Sequence, residues 1–269
     1  MMPVSEHPRR DRPVSVLVER TFAEVLRRVK KVTLLLTHRR WIGGLRHGVA
    51  AAVEHRALPI SRATATVIDV GAHKGQFALF IKGFLPSATL HCFEPLAEPR
   101  AVLVRLFQRD RSVQIYPFAL GGTDDLVDIF VSKQDDSSSL LKITNQQVSR
   151  FPGTELVSVR RTTVKRLDAA LETALLNRPV LLKIDVQGSE LDVLKGGTKV
   201  LEACSQVLVE CSFVEFYEGQ PLFNVVYQYL AERGFALCAA RCSVTDVTGA
   251  WLQADILFES TQMSRRPGE

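Results

Sequence analysis

The chain has no cysteine pair at CxxC spacing, no run of about 18 consecutive apolar residues and no internal repeat. Its five cysteines, Cys92, Cys204, Cys211, Cys238 and Cys242, are odd in number and lie mostly in apolar runs. That pattern speaks against a disulfide framework or a zinc site and for buried, reduced thiols in a cytoplasmic protein. Without a long apolar run, and with the polar start MMPVSEHPRRDRP, neither a signal peptide nor a membrane span is expected. Glycine and proline, at 16 and 12 residues, are near average, which excludes collagen-like and low-complexity chains. What remains, 46% hydrophobic and 23% charged over 269 residues, is the composition of a soluble globular protein with a substantial core.

Acidic residues are scarce in one region only. Residues 1–62 carry 13 Lys+Arg against 5 Asp+Glu, a charge of +8, so the total of +5 leaves −3 for the other 207 residues. Charge therefore argues against nucleic-acid binding by the body and leaves a basic arm able to meet a polyanion such as an acidic membrane surface. The organisation expected is a tail over 1–13, a basic helical extension over 14–62, one folded domain over 63–260 and a short tail over 261–269. In the extension Val18, Phe22, Val25, Val29, Val32 and Leu36 recur at spacings of three and four, which predicts an apolar helical stripe opposite Arg20, Arg27, Arg28, Lys30 and Lys31. The stripe is expected to dock on the body or on a second copy in a homodimer, with peripheral membrane contact as the alternative. Gly43-Gly44 interrupts it, and a weaker helical stretch runs to about His55.

From Thr64 short apolar runs alternate with helical patterns, the signature of an α/β fold around a mostly parallel sheet. Strands are expected at Thr66–Val70, Thr89–Phe93, Val113–Pro117, Val180–Asp185, Gln206–Cys211, Phe235–Ala240 and Gln253–Phe258. Helices are expected at Gly75–Phe84, Ala97–Arg109, Glu190–Leu201 and Leu222–Arg233. Leu126–Val131 and Leu156–Arg161 read as added strands around the polar loop QDDSSSLLKITNQQ. Only the turn-rich SVTDVTGAW separates the last two strands, too little for a helical crossover, so the last strand must enter antiparallel. A seven-stranded Rossmann-like sheet with one antiparallel strand follows.

Ligands of such sheets sit at the carboxyl ends of the strands. The first strand ends Asp69-Val70-Gly71-Ala72-His73-Lys74-Gly75, where a dinucleotide fingerprint would need glycine at His73. The close approach to a pyrophosphate is lost. S-adenosylmethionine, whose charged centre is a sulfonium, suits a carboxylate such as Asp69, with Gly71 and Gly75 admitting its amino-acid part. The second strand ends Phe93-Glu94-Pro95, 25 positions on, where an acid can accept from both ribose hydroxyls. Asp185, at the end of its strand, is the candidate acceptor-orienting residue or general base, or else a cap for the turn at Ser189-Glu190. Glu210 is the second catalytic candidate. His73 reads as a donor-side residue or an exposed turn histidine.

The chain resembles the FkbM family of S-adenosylmethionine-dependent methyltransferases from about Val67 to Phe258. The resemblance rests on DVGAHKGQF (69–77), FEP (93–95), FALG (118–121), SSSL (137–140) and LLKIDVQGSELDVLKGG (181–197). It implies a class I methyltransferase fold and methylation of a hydroxyl oxygen on a sugar, glycolipid or polyketide. Asp69, Gly71, Ala72, His73, Gly75, Glu94, Pro95, Phe118, Ala119, Ser138 and Asp185 would surround the donor, and Asp185 and Glu210 the reacting centre. Two departures stand out: Gln187 where the family's KIDVEG has Glu, and Cys211-Ser212-Phe213 where a polar residue often follows the acid at Glu210. Asp135 and Asp136 with Asp185 would be the oxygen ligands of a magnesium site, but no dense cluster is evident and metal independence is expected. Trp41, Trp251, Phe213, Phe216 and Tyr217 read as an apolar acceptor wall or as core. Two other functions compete: a nicotinamide oxidoreductase, which lacks a Tyr-x-x-x-Lys pair here, and a nucleotide-binding protein that kept the fold and lost or changed the chemistry.

Overall fold

The computed structural model describes residues 29–262. The tail over 1–13, the stripe members Val18, Phe22 and Val25, and most of the C-terminal tail lie outside those residues. Seven strands form the main sheet: β1 (Thr66–Val70), β2 (Thr89–Phe93), β3 (Val113–Tyr116), β7 (Val180–Ile184), β8 (Cys204–Ser212), β9 (Phe235–Thr245) and β10 (Trp251–Ser260). Their order is β3-β2-β1-β7-β8-β10-β9. The pairs β1–β2, β2–β3, β1–β7 and β7–β8 are parallel, while β10 runs antiparallel to both β8 and β9.

β1 (TVIDV) and β7 (VLLKI) are buried along their whole length. Both faces of this central pair are covered, so they carry nearly continuous apolar runs rather than alternation. The two charged residues inside those runs, Asp69 and Lys183, are therefore conspicuous, and they stand opposite each other in the register. Strand order reverses between β1 and β7, which opens a crevice at their carboxyl ends.

The added strands make a separate three-stranded sheet of β4 (Ala119–Leu120), β5 (Asp125–Ser132) and β6 (Leu156–Lys165), ordered β4-β6-β5. The polar loop between β5 and β6 carries a helix over Asn145–Arg150, whose Thr144 cap accepts from the Gln147 N–H at 3.2 Å. The expected helix Glu190–Leu201 is two helices, Glu190–Gly196 and Thr198–Ala203. A Cβ at Gly196 would stand 2.0 Å from the Gly121 carbonyl oxygen, so close approach of the β4 edge dictates the glycine that weakens this helix. The final hairpin runs longer than expected because Asp246 Oδ1 accepts from the N–H groups of Thr248 and Ala250 and closes the turn tightly.

Residues 29–35 are helical, but the stripe members among the described residues do not face the body. Val29, Val32 and Leu36 are exposed, and Leu35 is buried instead, in one core with Trp41, Val49, Ala51, Phe77 and Phe80. Trp41 donates its indole N–H to the Leu79 carbonyl at 3.1 Å and lies against Gly83, where a Cβ would approach within 2.2 Å. It is a packing residue of the α-helix Gln76–Phe84, remote from any acceptor wall. Beyond the short helix Arg39–Leu45, the chain from Val49 to Ile60 packs into the same core and carries Glu54 and His55 to the sheet's carboxyl edge. Among the described residues no helix is long and apolar enough to cross a membrane.

Candidate active site

A cavity of about 490 Å³ opens at the carboxyl ends of β1, β2, β7 and β8. Gly71 to His73, Glu94 to Leu96, Ala119 and Ser137 to Ser139 line one half. Glu54, His55, Gln76, Arg241, Gln253 and Asp255 line the other. Asp185, Gln187 and Glu210 stand on the lining with Lys183 beneath them.

The glycine turn is built first by protein packing. Gly71 has φ +79, and a Cβ there would fall 1.8 Å from the Asp185 carbonyl oxygen, so the end of β7 requires this glycine. Gly75, at φ +92, starts the helix Gln76–Phe84, and its Cβ would meet Leu103 at 2.6 Å. Gly75 shapes the turn but is not on the cavity wall. His73 takes the left-handed conformation, φ +48, and points its Nε2 at Asp135 at 3.0 Å. Lys74 Nζ reaches the same carboxylate at 3.0 Å. Burial alone would raise the Asp135 pKa, but these two partners hold it below the usual carboxylate range. His73 thus latches the serine loop to the turn.

Glu94 ends β2 almost wholly buried. Its Oε2 accepts the His73 N–H at 2.9 Å and its Oε1 the Leu96 N–H at 2.8 Å. Burial pushes its pKa up to about 7 against the pull of those N–H groups and of Arg100. Each carboxylate oxygen can accept a second bond, and the side chain borders the cavity, so two hydroxyls on one ribose suit it. Pro95 and Ala119 flank it. Phe118 stays off the lining and packs on Phe93 and Tyr116, with Lys165 over its ring at 4.6 Å. Ser138 lines the cavity while its Oγ accepts the Ser132 N–H at 3.1 Å.

Asp69 is placed differently from the sequence expectation. It is fully buried, absent from the cavity wall, and paired with Lys183 Nζ at 3.2 Å. Lys183 also donates to the Gly71 carbonyl at 3.1 Å and lies 3.4 Å from Asp185 Oδ2. Burial raises the Asp69 pKa, with Lys183 opposing. Burial would lower that of Lys183, but Asp69, Asp185 and Glu210 outweigh it and the ammonium is held above its usual range. Asp69 anchors the cation beneath the site rather than touching a ligand.

Asp185 and Glu210 do converge, through Gln187, the residue that stands where the family motif has Glu. Gln187 Nε2 donates to Asp185 Oδ1 and to Glu210 Oε2, both at 2.9 Å. Its Oε1 faces the Tyr217 hydroxyl at 2.8 Å, and Ser139 Oγ donates to its backbone carbonyl at 2.6 Å. Burial, then the neighbouring Asp185, Asp255 and Glu190, push the Glu210 pKa well above the ordinary range. Phe216 and Tyr217 are fully buried, Phe213 packs on Phe223, and Trp251 lies edge-on to Phe213, 44% exposed. None of the five candidate aromatics lines the cavity, whereas Arg241 does and pairs with Asp255, whose Oδ2 is 3.7 Å from His55 Nε2. Among the described residues no group of three or more His, Cys, Asp or Glu is arranged to hold a metal ion, and Asp135 is already taken by His73 and Lys74. All five cysteines are free, with Cys92, Cys204 and Cys211 buried.

Sequence reasoning missed Lys183, His55, Arg241 and Asp255. A signal existed only for Lys183, a lone cation inside the apolar run LLKID. It also gave Glu190 no side-chain role, yet Glu190 Oε1 accepts the N–H groups of Val186 and Gly188 at 3.2 and 2.9 Å and shapes the turn after β7. Burial pushes its pKa from 4.5 to about 7. A raised folded-state pKa means stability that is fully present below about pH 4.5 and lost as pH rises through about 7. Glu190→Gln keeps the acceptor oxygen and removes the titration. Its stability relative to wild type is expected to improve from pH 5 to pH 8, by up to about 3 kcal/mol. Urea unfolding across that range checks this, and parallel profiles would refute it.

The reversed strand β10, the crevice at the switch point and the acid at the tip of β2 define a class I methyltransferase fold with a donor-type pocket. Residues 69–237 match the methyltransferase FkbM domain, and the chain belongs to that family. It is 26% identical over 212 residues to 2-O-methyltransferase NoeI of Sinorhizobium fredii, covering 71% of this chain and 86% of that protein. It is 29% identical over 187 residues to Methyltransferase 1 of Beauveria bassiana, covering 65% and 74%. Among solved structures, an rRNA methylase from Streptococcus thermophilus superposes with a TM-score of 0.41 at 9% identity, covering 73% of this chain and 87% of that one.

Proposed function

We propose that the protein transfers the methyl group of S-adenosylmethionine to a hydroxyl oxygen of a polyhydroxylated small molecule, a sugar or glycolipid in preference to a polyketide. The observation that carries this is the meeting of the cavity's two halves at Asp185 and Glu210. When bound, S-adenosylmethionine supplies an electrophilic methyl on a sulfonium. Glu94 would accept from its ribose hydroxyls, and the Gly71–His73 turn with the latched serine loop would enclose it. The acceptor hydroxyl would lie against Asp185 and Glu210. The acceptor oxygen would take the methyl group that S-adenosylmethionine supplies, and its hydroxyl proton would pass to a carboxylate. Burial among acids raises the Glu210 pKa and favours its neutral form, so Asp185, on the cavity lining, is the proton acceptor. Alignment in a closed site contributes the larger share, up to about 7–11 kcal/mol in favourable cases.

The acceptor half favours a sugar because both donors and acceptors line it, Arg241 and Gln253 as well as Asp255, His55 and Glu54. The relative named as a 2-O-methyltransferase supports transfer to an oxygen. Calorimetry of the full chain with S-adenosylmethionine and with NAD(H) tests the donor, and a methyl-transfer assay over sugars and polyketides tests the acceptor. Micromolar binding of S-adenosylmethionine alone is expected. Binding of NAD(H) instead, or of neither, would overturn the proposal.

A further inference from the structure

The hydrogen-bond geometry at the tips of β7 and β8 assigns Gln187 a role of its own. We infer that its carboxamide is a positioning bridge that takes, between Asp185 and Glu210, the place a divalent cation would take. Gln187 Nε2 stands 2.9 Å from Asp185 Oδ1 and 2.9 Å from Glu210 Oε2, so an N–H donor occupies the point common to both acids. A magnesium or calcium ion shared by those oxygens would need the same point at about 2.0–2.6 Å. The opposite amide orientation would set an oxygen against two carboxylates and forfeit the Tyr217 hydroxyl at Oε1.

The backbone holds this side chain in place. Gln187 sits at φ +57, which non-glycine residues seldom adopt, and Ser139 Oγ fixes its carbonyl from the serine loop. Glycine follows at φ +109, where a Cβ would meet Leu141 and Tyr217 at 3.2 Å. The bridge thus ties together the serine loop, both acids and the segment after β8. It also gives the glutamine that departs from the family's KIDVEG a purpose: a glutamate here would put three carboxylates in one place. With only Lys183 beneath them, such a cluster must take up a proton or a cation.

The inference rests on the proposed reaction only for its catalytic consequence, since the test reads the protein without donor or acceptor. Thermal unfolding of the full chain is measured with magnesium or manganese chloride and with chelator, for wild type and Gln187→Glu. Gln187→Glu is expected to gain about 4 °C or more at millimolar cation, and wild type less than about 1 °C. An equal gain in wild type, or a folded Gln187→Glu indifferent to both cations, would overturn the inference. Should that variant fail to fold, Gln187→Met removes the donors at similar volume. Glu210, left without that N–H partner, takes a still higher folded-state pKa, so the variant's stability should fall more steeply than that of wild type as pH rises from 5.5 to 8. Lys183, Asp69, Glu190, Asp255 and Tyr217 face the same pair and are present in both proteins, so the difference isolates the bridge. Parallel profiles would overturn it.

Discussion

Replacing Lys183 with methionine is expected to destabilise the protein by about 3–5 kcal/mol, the usual cost of leaving a buried charge without its partner. Asp69 is wholly enclosed, and its nearest cation is the Lys183 ammonium at 3.2 Å. Lys183 also draws in Asp185 at 3.4 Å and the Gly71 carbonyl at 3.1 Å, so one substitution disturbs the glycine turn and the end of β7 together. Without the ammonium the Asp69 pKa, already raised by burial, rises further, and the loss deepens as pH increases. Urea unfolding at pH 6 and pH 8 reads both effects. The double variant Lys183→Met/Asp69→Asn should recover most of the loss, because a neutral amide needs no counter-charge. Equal instability of single and double variants would show that packing around the lysine stem, not the ion pair, carries the energy.

Glu94→Ala is expected to weaken S-adenosylmethionine binding by about 100-fold, the equivalent of two hydrogen bonds to a charged acceptor at the low end of their range. The same carboxylate accepts from the His73 and Leu96 N–H groups, so the variant also loosens the turn that would enclose the amino-acid end. Calorimetry reads the affinity, and far-ultraviolet circular dichroism shows whether the sheet is intact. Glu94→Gln keeps one acceptor oxygen and should fall between the two. A change under threefold in a folded Glu94→Ala would remove Glu94 from the donor site.

The sheet was legible because its central strands are short apolar runs bounded by turn residues, and the antiparallel entry of β10 followed from the length of SVTDVTGAW alone. Glu94 and Asp185 were legible because each stands just past a strand's end, where an acid has one place to go, the crevice at the sheet's edge. Asp69 misled because it is one residue inside the strand rather than past its end. There β1 and β7 are covered on both faces, and Lys183, opposite it in the register, neutralises it. The stripe of Val29, Val32 and Leu36 misled because periodicity gives a face but not its direction, and Leu35 and Trp41 took the core side.

The sequence by itself determined the strand order's constraints, the donor-type turn without a third glycine and the identity of the acids at the strand tips, since these depend on local pattern and spacing. Tertiary structure alone decided that Lys183 lies beneath those acids and that the chain around His55 meets the β9–β10 hairpin at the cavity wall. It alone turned Gln187 from a missing charge into the bridge between two carboxylates. Those contacts join residues up to some 200 positions apart, and distance-dependent electrostatics acts on separation in space, which no period or motif encodes.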